Sequence, residues 1–251
     1  MQEDEYKKRR FTELADKSYR TGTYFFTDFL SMSDISLLVE CKKTMPYMYY
    51  ELWGGRENTE RQIARFGNPE EIGYTADYPV SVIHISPLIN KFAENLTHRD
   101  FLGAIMKLGV KRETVGDILV NNKDAYVFVL DKMASYLKDN LDKVKRTSVK
   151  AEIVKNIPEN LECKKQEKEI MVASERIDAI IAAKYKLSRS QVIELFRAGK
   201  VYLNGRVYEN NSYIVKRDDV ISVRGHGKII YKQVSKETRK GKKYITIEEY
   251  V

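Results

Sequence analysis

The segment Ser188–Arg206, SRSQVIELFRAGKVYLNGR, decides the architecture of the last third of the chain. Ser188 is a favourable N-cap for a helix over Arg189–Ala198, and Gly199 is a typical helix stop. Asn204-Gly205 then indicates a type I′ turn, the turn that best joins two antiparallel strands. The segment therefore predicts a helix followed at once by a β-hairpin.

The residues on either side extend this pattern into a module. The predicted helix has an apolar face at Val192, Leu195 and Phe196, which is the spacing of a buried stripe. An upstream helix over Glu175–Tyr185 has a similar face, and a strand over Val220–Arg224 follows an acidic turn. We predict two packed helices and a hairpin within residues 174–251.

The net charge of the chain is concentrated in this module. Residues 1–173 hold 27 Lys+Arg and 27 Asp+Glu, whereas residues 174–251 hold 17 and 9, so the excess of +8 equals that of the whole chain. A basic excess confined to one segment is typical of a module that binds a polyanion. A basic surface without a partner is the alternative.

Several basic residues fall where they could neutralise phosphates together. Arg189 lies at the start of the second helix, where free N–H groups also favour an anion. Ser190, Glu194 and Arg197 lie opposite the buried stripe, and Lys200 and Arg206 flank the hairpin. Each of them singly could be an ordinary solvated side chain, but the cluster favours RNA contact.

The module resembles the S-four-type RNA-binding domain, also called the αL motif. The resemblance is ordered and nearly gapless, and it rests on Glu175–Asp178, Ser188–Gln191, Phe196–Arg206 and Asp219–Val223. It implies docking of the two helices onto structured, often ribosomal, RNA. By analogy the expected contacts are Arg176, Arg189, Ser190, Arg197, Lys200 and Arg206, and residues 236–243 would add a basic strand or tail.

Two further domains are predicted upstream, which makes the fold class α+β. Residues 1–75 indicate an α/β lobe with helices within 1–45 and over Glu57–Phe66. Residues 76–155 give strand–helix–strand–strand–helix–strand, the ferredoxin-like (RRM-like) order. In it Thr97 and Asp100 cap a helix over Arg99–Leu108 that ends at Gly109. Residues 155–173 are expected to be a linker, alone or with a strand.

Composition excludes several classes of protein. No apolar run approaches the roughly 20 residues that cross a bilayer, and no apolar segment follows the charged N-terminus, so we expect no membrane and a cytoplasmic location. Cys41 and Cys163 are too far apart for a CxxC metal site. We predict no metal and no cofactor, and a monomer.

The whole chain resembles the bacterial YlmH family. The matching segments are Thr27–Leu30, Gly54–Arg61, Leu96–Ala104, Leu108–Arg112 and Gly116–Val120. The resemblance implies a non-enzymatic factor of ribosome-associated quality control that binds the large subunit retaining peptidyl-tRNA, with tRNA as a further possible contact; the family also has a cell-division label. In place of the family's basic pair after Glu60-Arg61, this chain has Gln62-Ile63, which predicts a weaker contact if that loop touches RNA.

An RNA-modifying enzyme is the main rival. Arg176-Ile177-Asp178 echoes the Arg-Leu-Asp of pseudouridine synthases, but it lies inside the first helix of the binding module. No glycine-rich cofactor loop is present, and His98-Arg99-Asp100 lacks the other kinase motifs.

Other single residues have a structural and a functional interpretation. We expect His84 to be a core residue, and His226 to stack on a base or to occupy a turn. Trp53 and the tyrosines at 47, 49 and 50 are expected in the core rather than in a stacking platform.

Overall fold

The computed structural model describes residues 2–57, 59–158, 161, 165–238 and 241–250. The chain forms two compact units, Met1–Glu162 and Cys163–Val251, both of mixed helix and sheet, as predicted. The first unit contains the predicted N-terminal lobe and the predicted middle domain. Their division at residue 75 stays a prediction.

The N-terminal part of the first unit packs helices against a small antiparallel sheet of order β1-β3-β2. Its elements are α1 (Gln2–Thr21), β1 (Phe25–Phe26), α2 (Met32–Thr44), β2 (Tyr50–Trp53), β3 (Ile63–Phe66) and α3 (Pro69–Ile72). Ser31 caps α2, and Asp34 Oδ2 accepts a hydrogen bond from the Ser31 N–H at 2.9 Å. Both α1 and α2 lie within the predicted helical stretch 1–45, and Val39 of α2 is 44% exposed.

The helix predicted over residues 57–66 is wrong, because β3 occupies its second half. All four residues of β3 are buried, and the strand lies between β1 and β2. A central strand that is buried on both faces lacks the alternation of apolar and polar residues that identifies most strands. A short apolar run of this kind cannot be told from a helix by periodicity.

The rest of the first unit has the predicted order of elements around a five-stranded sheet, β5-β6-β4-β8-β7, with antiparallel pairing throughout. The elements are β4 (Val80–Pro87), α4 (His98–Lys107), β5 (Val115–Asn121), β6 (Asp124–Leu130), α5 (Asp131–Asn140), β7 (Lys143–Val144) and β8 (Thr147–Val154). Thr97 and Asp100 form the predicted cap, with Thr97 N–H and Oγ1 both 2.8 Å from Asp100 Oδ2. Ile83, Phe101, Ile105 and Leu137 share the core under α4 and α5.

The opposite face of this sheet is covered in part. Tyr126, Phe128 and Leu130 of β6 pack in one cluster with Phe29 and Ile63 from the N-terminal part. At Gly116 an added Cβ would lie 2.7 Å from the ring of Phe29. The β5 and β6 side of this face is therefore buried, whereas Lys150 and Glu152 of β8 are exposed.

A polar junction joins the same two parts. The Asp117 carboxylate accepts hydrogen bonds from the backbone N–H groups of Glu60 (2.7 Å) and Arg61 (3.1 Å), and burial raises its pKa. The Arg61 guanidinium donates to the carbonyls of Phe29 (2.9 Å) and Val115 (3.0 Å). Three of the segments that carry the family resemblance meet here, so their residues have a structural role. Ile63, expected on a loop, is fully buried.

The close approach at Gly116 predicts the effect of a substitution. Gly116→Ala should lower the free energy of unfolding by about 1–3 kcal/mol, because the added methyl group overpacks Phe29 and Phe128. Phe29→Leu should recover part of that loss in the double variant, a coupling that urea unfolding of the four proteins measures. Additive losses would show that Phe29 is not the neighbour that matters.

The second unit is a six-stranded antiparallel sheet of order β11-β10-β12-β13-β14-β9 with two helices. Its elements are β9 (Lys165–Val172), α6 (Ile177–Tyr185), α7 (Arg189–Arg197), β10 (Val201–Leu203), β11 (Arg206–Val207), β12 (Val220–Val223), β13 (Gly227–Glu237) and β14 (Lys243–Tyr250). Ile177, Ile180, Ile181, Val192 and Phe196 are buried as predicted, and Leu195 is half-buried.

Two segments whose predictions left a strand open are strands. Residues 155–173, expected to be a linker alone or with a strand, contain β9, which pairs with β14 along its whole length. Residues 236–243, expected to add a basic strand or tail, are largely the end of the long β13 and the start of β14, although residues 239 and 240 lie outside the described residues. Residues 165–169 are all polar, so β9 lacks the apolar alternation that identifies a strand.

Candidate nucleic-acid interface

The start of α7 presents two of the predicted contacts. Ser188 Oγ accepts from the Gln191 N–H (3.3 Å), and Gln191 Oε1 accepts from the Ser188 N–H (2.8 Å). This reciprocal cap fixes the first turn, and Ser190 Oγ lies 3.0 Å from Ser188 Oγ. Arg189 and Ser190 are both exposed. Arg189 is thus placed at a helix N-terminus, where its charge adds to that of the helix dipole.

The end of α7 presents the next two. Arg197 is 74% exposed and contacts Glu194 at 3.0 Å, and Lys200 is also exposed. An exposed pair three residues apart on a helix contributes at most about 1 kcal/mol, so a phosphate can replace the carboxylate. The Lys200 N–H donates to the Leu195 carbonyl at 2.9 Å, which fixes the exit of the helix.

Sequence reasoning missed Arg224, which belongs beside this end of the helix. Its N–H donates to the Lys200 carbonyl at 2.9 Å, and its side chain is exposed. The pairing of Val201 with Val223 sets the two residues opposite each other at the ends of β10 and β12. A correct register for these strands would have indicated this from the sequence.

The remaining two predicted contacts are less available. Arg176 forms a two-point ion pair with Asp178, at 3.0 Å and 2.7 Å, which raises its pKa. Arg206 is half-buried in β11, next to the type I′ turn in which Asn204 and Gly205 have φ of 50° and 81°. The structure therefore leaves the side chains of Arg189, Arg197 and Lys200 exposed. The Arg176 side chain is instead held by its ion pair with Asp178.

Several basic residues elsewhere in this unit have carboxylate partners. Lys243 contacts Glu175 at 2.6 Å, Lys232 contacts Asp218 at 2.8 Å, and Lys184 of α6 and Lys168 of β9 both contact Glu249. Within the part of the chain that the structure describes, no carboxylate lies within 4 Å of Arg189, Lys200 or Arg224. These three cations belong to a positive surface around α7 and the adjoining strand ends, which we call the α7 face (Arg189, Ser190, Arg197, Lys200 and Arg224).

A buried hydrogen-bond network holds the hairpin beside this face. Asp219 is 8% exposed and accepts from Asn204 Nδ2 (2.8 Å), the Lys216 N–H (2.8 Å) and the Tyr213 hydroxyl (3.2 Å). Asn204 Oδ1 in turn accepts from the Val220 N–H at 2.9 Å. Burial and the nearby Asp219 carboxylate raise the pKa of Tyr213 to about 12. The network fixes β10 against β12, and hence the positions of Lys200 and Arg224.

Several single residues differ from expectation. Tyr47, Tyr49 and Trp53 are 50%, 37% and 36% exposed, so their assignment to the core is wrong. Their positions at the ends of a short strand leave them without a covering layer.

The two histidines that were singled out lie at partly exposed positions. His84 stacks on Tyr126 at 4.5 Å and lies 3.0 Å from Asp124, and its side chain is 20% exposed rather than buried. His226 occupies a turn between two glycines of positive φ, and its ring lies 5.3 Å from that of Tyr185.

The described ranges contain no group of three or more His, Cys, Asp or Glu side chains arranged to hold a metal ion. Asp178 gives both oxygens to Arg176 and accepts from the Ala179 N–H at 2.8 Å, so its position is explained by the start of α6. Over the same ranges no helix has the length and apolar character to span a membrane.

Two family models of RNA-binding domains match the chain. Residues 74–157 match the family model described as "Putative RNA-binding domain in YlmH", and residues 175–221 match the S4 domain. The chain therefore carries a YlmH-type RNA-binding domain followed by an S4 domain, which confirms the resemblance that the sequence indicated.

The chain is also similar to known proteins. The chain is 29% identical over 200 residues to ribosome-associated protein quality control protein P2 of Bacillus subtilis, which covers 78% of this chain and 76% of the relative. It is 35% identical over 57 residues, 18% of the relative's length, to an uncharacterized RNA pseudouridine synthase of Mycoplasma genitalium. The solved structure of cell division protein YlmH from Streptococcus pneumoniae is 22% identical, with a TM-score of 0.49, and the match covers 61% of this chain and 92% of that one.

Proposed function

We propose that this chain binds ribosomal RNA on the large subunit that retains peptidyl-tRNA, as a non-enzymatic, cytoplasmic factor of ribosome-associated quality control. The domains and the Bacillus subtilis relative support an RNA-binding role. The observation that carries the proposal is the α7 face, where exposed cations lie on a rigid helix and strand ends. Such cations neutralise phosphates and supply affinity with little sequence reading.

The rigidity of the α7 face supports a structured RNA target. The reciprocal cap of Ser188 and Gln191 fixes one end of α7, and the Lys200–Leu195 and Arg224–Lys200 hydrogen bonds fix the other. A face held in this way matches a preformed arrangement of phosphates, as in a folded ribosomal helix, at little entropic cost. Discrimination between RNA helices would come from that match of shape.

The salt dependence of binding tests the phosphate contacts. If the four cations of the α7 face each neutralise one phosphate, they should contribute about −3 to −4 to the slope of the logarithm of the association constant against the logarithm of salt concentration. Sedimentation with purified large subunits between 50 and 200 mM salt measures it. A flat response would contradict the proposal, since it would mean that apolar or protein contacts dominate.

An RNA-modifying enzyme is the second candidate, and the short match to a pseudouridine synthase favours it. The use of both Asp178 oxygens within the first turn of α6 argues against it. Incubation of the chain with ribosomal RNA and tRNA, followed by mass spectrometry of the digested nucleosides, decides between them. A new pseudouridine that disappears with Asp178→Asn would establish the enzyme.

A further inference from the structure

A second row of cations lies on the outward face of α4 in the first unit. Arg99, Gly103 and Lys107 are all exposed, and they follow one another at intervals of four residues. Residues four apart on a helix lie on the same side, so the three form a row with the glycine in the middle. The two charged side chains are separated by roughly 12 Å along the helix axis.

The β7 segment supplies the opposite wall of a shallow groove along this row. Four cations line the groove, namely Arg99, Lys107, Lys143 and Lys145. The carboxylates that line it are those of Asp100 and Asp142. Asp100 contacts Lys145 at 2.8 Å, and the hydrogen bonds from Lys145 and Thr97 hold its pKa at about 2. Among the described residues no carboxylate lies within 4 Å of Arg99, Lys107 or Lys143, so the groove has a net positive charge.

Gly103 is unexplained by the fold itself. It lies in the middle of α4 without a positive φ, and a Cβ added there would meet no atom within 4 Å. Glycine destabilises the interior of a helix relative to alanine, and here neither a backbone conformation nor internal packing requires it. A glycine also allows the backbone of another molecule to approach closely. Both the exposure of Gly103 and its position between two cations fit this use.

We infer that this α4 groove (Arg99, Gly103, Lys107, Lys143 and Lys145) binds the sugar-phosphate backbone of RNA, with Gly103 as its floor. Modules with this order of elements commonly stack bases on the open face of the sheet. The β6 part of that face is covered here, because Phe29 and Ile63 pack against Tyr126 and Phe128. The side of the YlmH-type domain that carries α4 is therefore an alternative RNA surface. The choice of RNA as its ligand rests on the proposed function.

Substitution of Gly103 separates a binding role from a structural one. Gly103→Ala and Gly103→Gln should raise the melting temperature by about 1–4 °C, because both residues favour the helix. The same variants should bind large subunits about threefold and tenfold more weakly, since their side chains occupy the space of the RNA backbone. Affinity unchanged in both variants would overturn the inference.

Charge reversal tests the walls of the groove. Lys107→Glu with Lys143→Glu should weaken binding about tenfold and reduce the magnitude of the salt slope by about 1–2. The matched control is Lys91→Glu with Lys138→Glu, which makes the same change in charge at exposed positions of the same domain outside the groove. Equal losses in the two double variants would mean that only the net charge of the domain matters.

The combined results of the α4 and α7 variants separate a failure of this inference from a failure of the proposed function. Loss of binding after changes on the α7 face, with normal binding of the α4 variants, would overturn this inference and leave the proposed function standing. Normal binding after changes on the α7 face, with loss in the α4 variants, would instead move the RNA site to the first unit. Loss in the α4 variants with ultraviolet cross-links from residues 98–107 to ribosomal protein but none to RNA would assign the groove to a protein partner and overturn the inference.

Discussion

Arg189→Glu together with Arg197→Glu is expected to lower the affinity of the full chain for large ribosomal subunits by about 100-fold or more. Each change removes one attraction to phosphate and adds one repulsion, at the two ends of the same rigid helix. Both side chains are exposed, and the buried core of α7 is Val192 and Phe196, so the fold should be unaffected. Sedimentation with purified large subunits measures the loss, and circular dichroism verifies the fold.

The matched control for this variant lies in the first unit. Lys17→Glu with Lys43→Glu makes the same change in charge at two exposed positions of α1 and α2. We expect its affinity to remain within about twofold of the wild type, because long-range effects of net charge are screened beyond roughly 8–10 Å in physiological salt. Equal losses in the two variants would show that binding responds to total charge and that the α7 face is not the site.

Asp219→Asn is expected to cause the largest loss of stability in the second unit, about 2–3 kcal/mol. One carboxylate oxygen accepts from Asn204 Nδ2, and the other accepts from Tyr213 and from the Lys216 N–H. Whichever oxygen becomes an amide nitrogen would face a donor, and a buried donor without an acceptor costs about 1–3 kcal/mol. Hydrogen exchange of the amides of residues 201–223 should accelerate about 30- to 100-fold.

The neighbouring Asp218 provides the control. Its side chain is 60% exposed, it contacts Lys232 at 2.8 Å, and its φ of 66° is a conformation that asparagine also adopts. Asp218→Asn should therefore change exchange by less than about fivefold, since exposed ion pairs contribute at most about 1 kcal/mol. If both variants exchange alike, the buried network does not hold the hairpin.

Much of the fold follows from local signals. Caps at Ser188 and Thr97, glycine stops at Gly109 and Gly199, and the Asn204-Gly205 turn are each determined by a few adjacent residues, and the structure has them where they were predicted. The elements that the sequence missed or left undecided depend on distant partners. β3, which was missed, is a strand because it lies between two others, and β9, which was left open, is a strand because β14 pairs with it.

The residues of the candidate site also divide into those that local signals place and those whose roles depend on distant contacts. Arg189 and Arg197 can be placed on an exposed helix face from the sequence, because α7 has a clear buried stripe. The exclusion of Arg176 depends on its ion pair with Asp178, and the inclusion of Arg224 depends on strand register. The covered sheet of the first unit depends on contacts between Phe29 and residues almost 100 positions away. Periodicity carries no information on such contacts.

Ultraviolet cross-linking of the full chain on large ribosomal subunits, followed by mass spectrometry of peptides that carry a nucleotide, tests whether the α7 face contacts RNA. We expect nucleotide adducts on the peptides that contain Arg189, Arg197, Lys200 and Arg224. Adducts confined to peptides outside residues 186–226, on subunits that bind the chain with unchanged affinity, would contradict it.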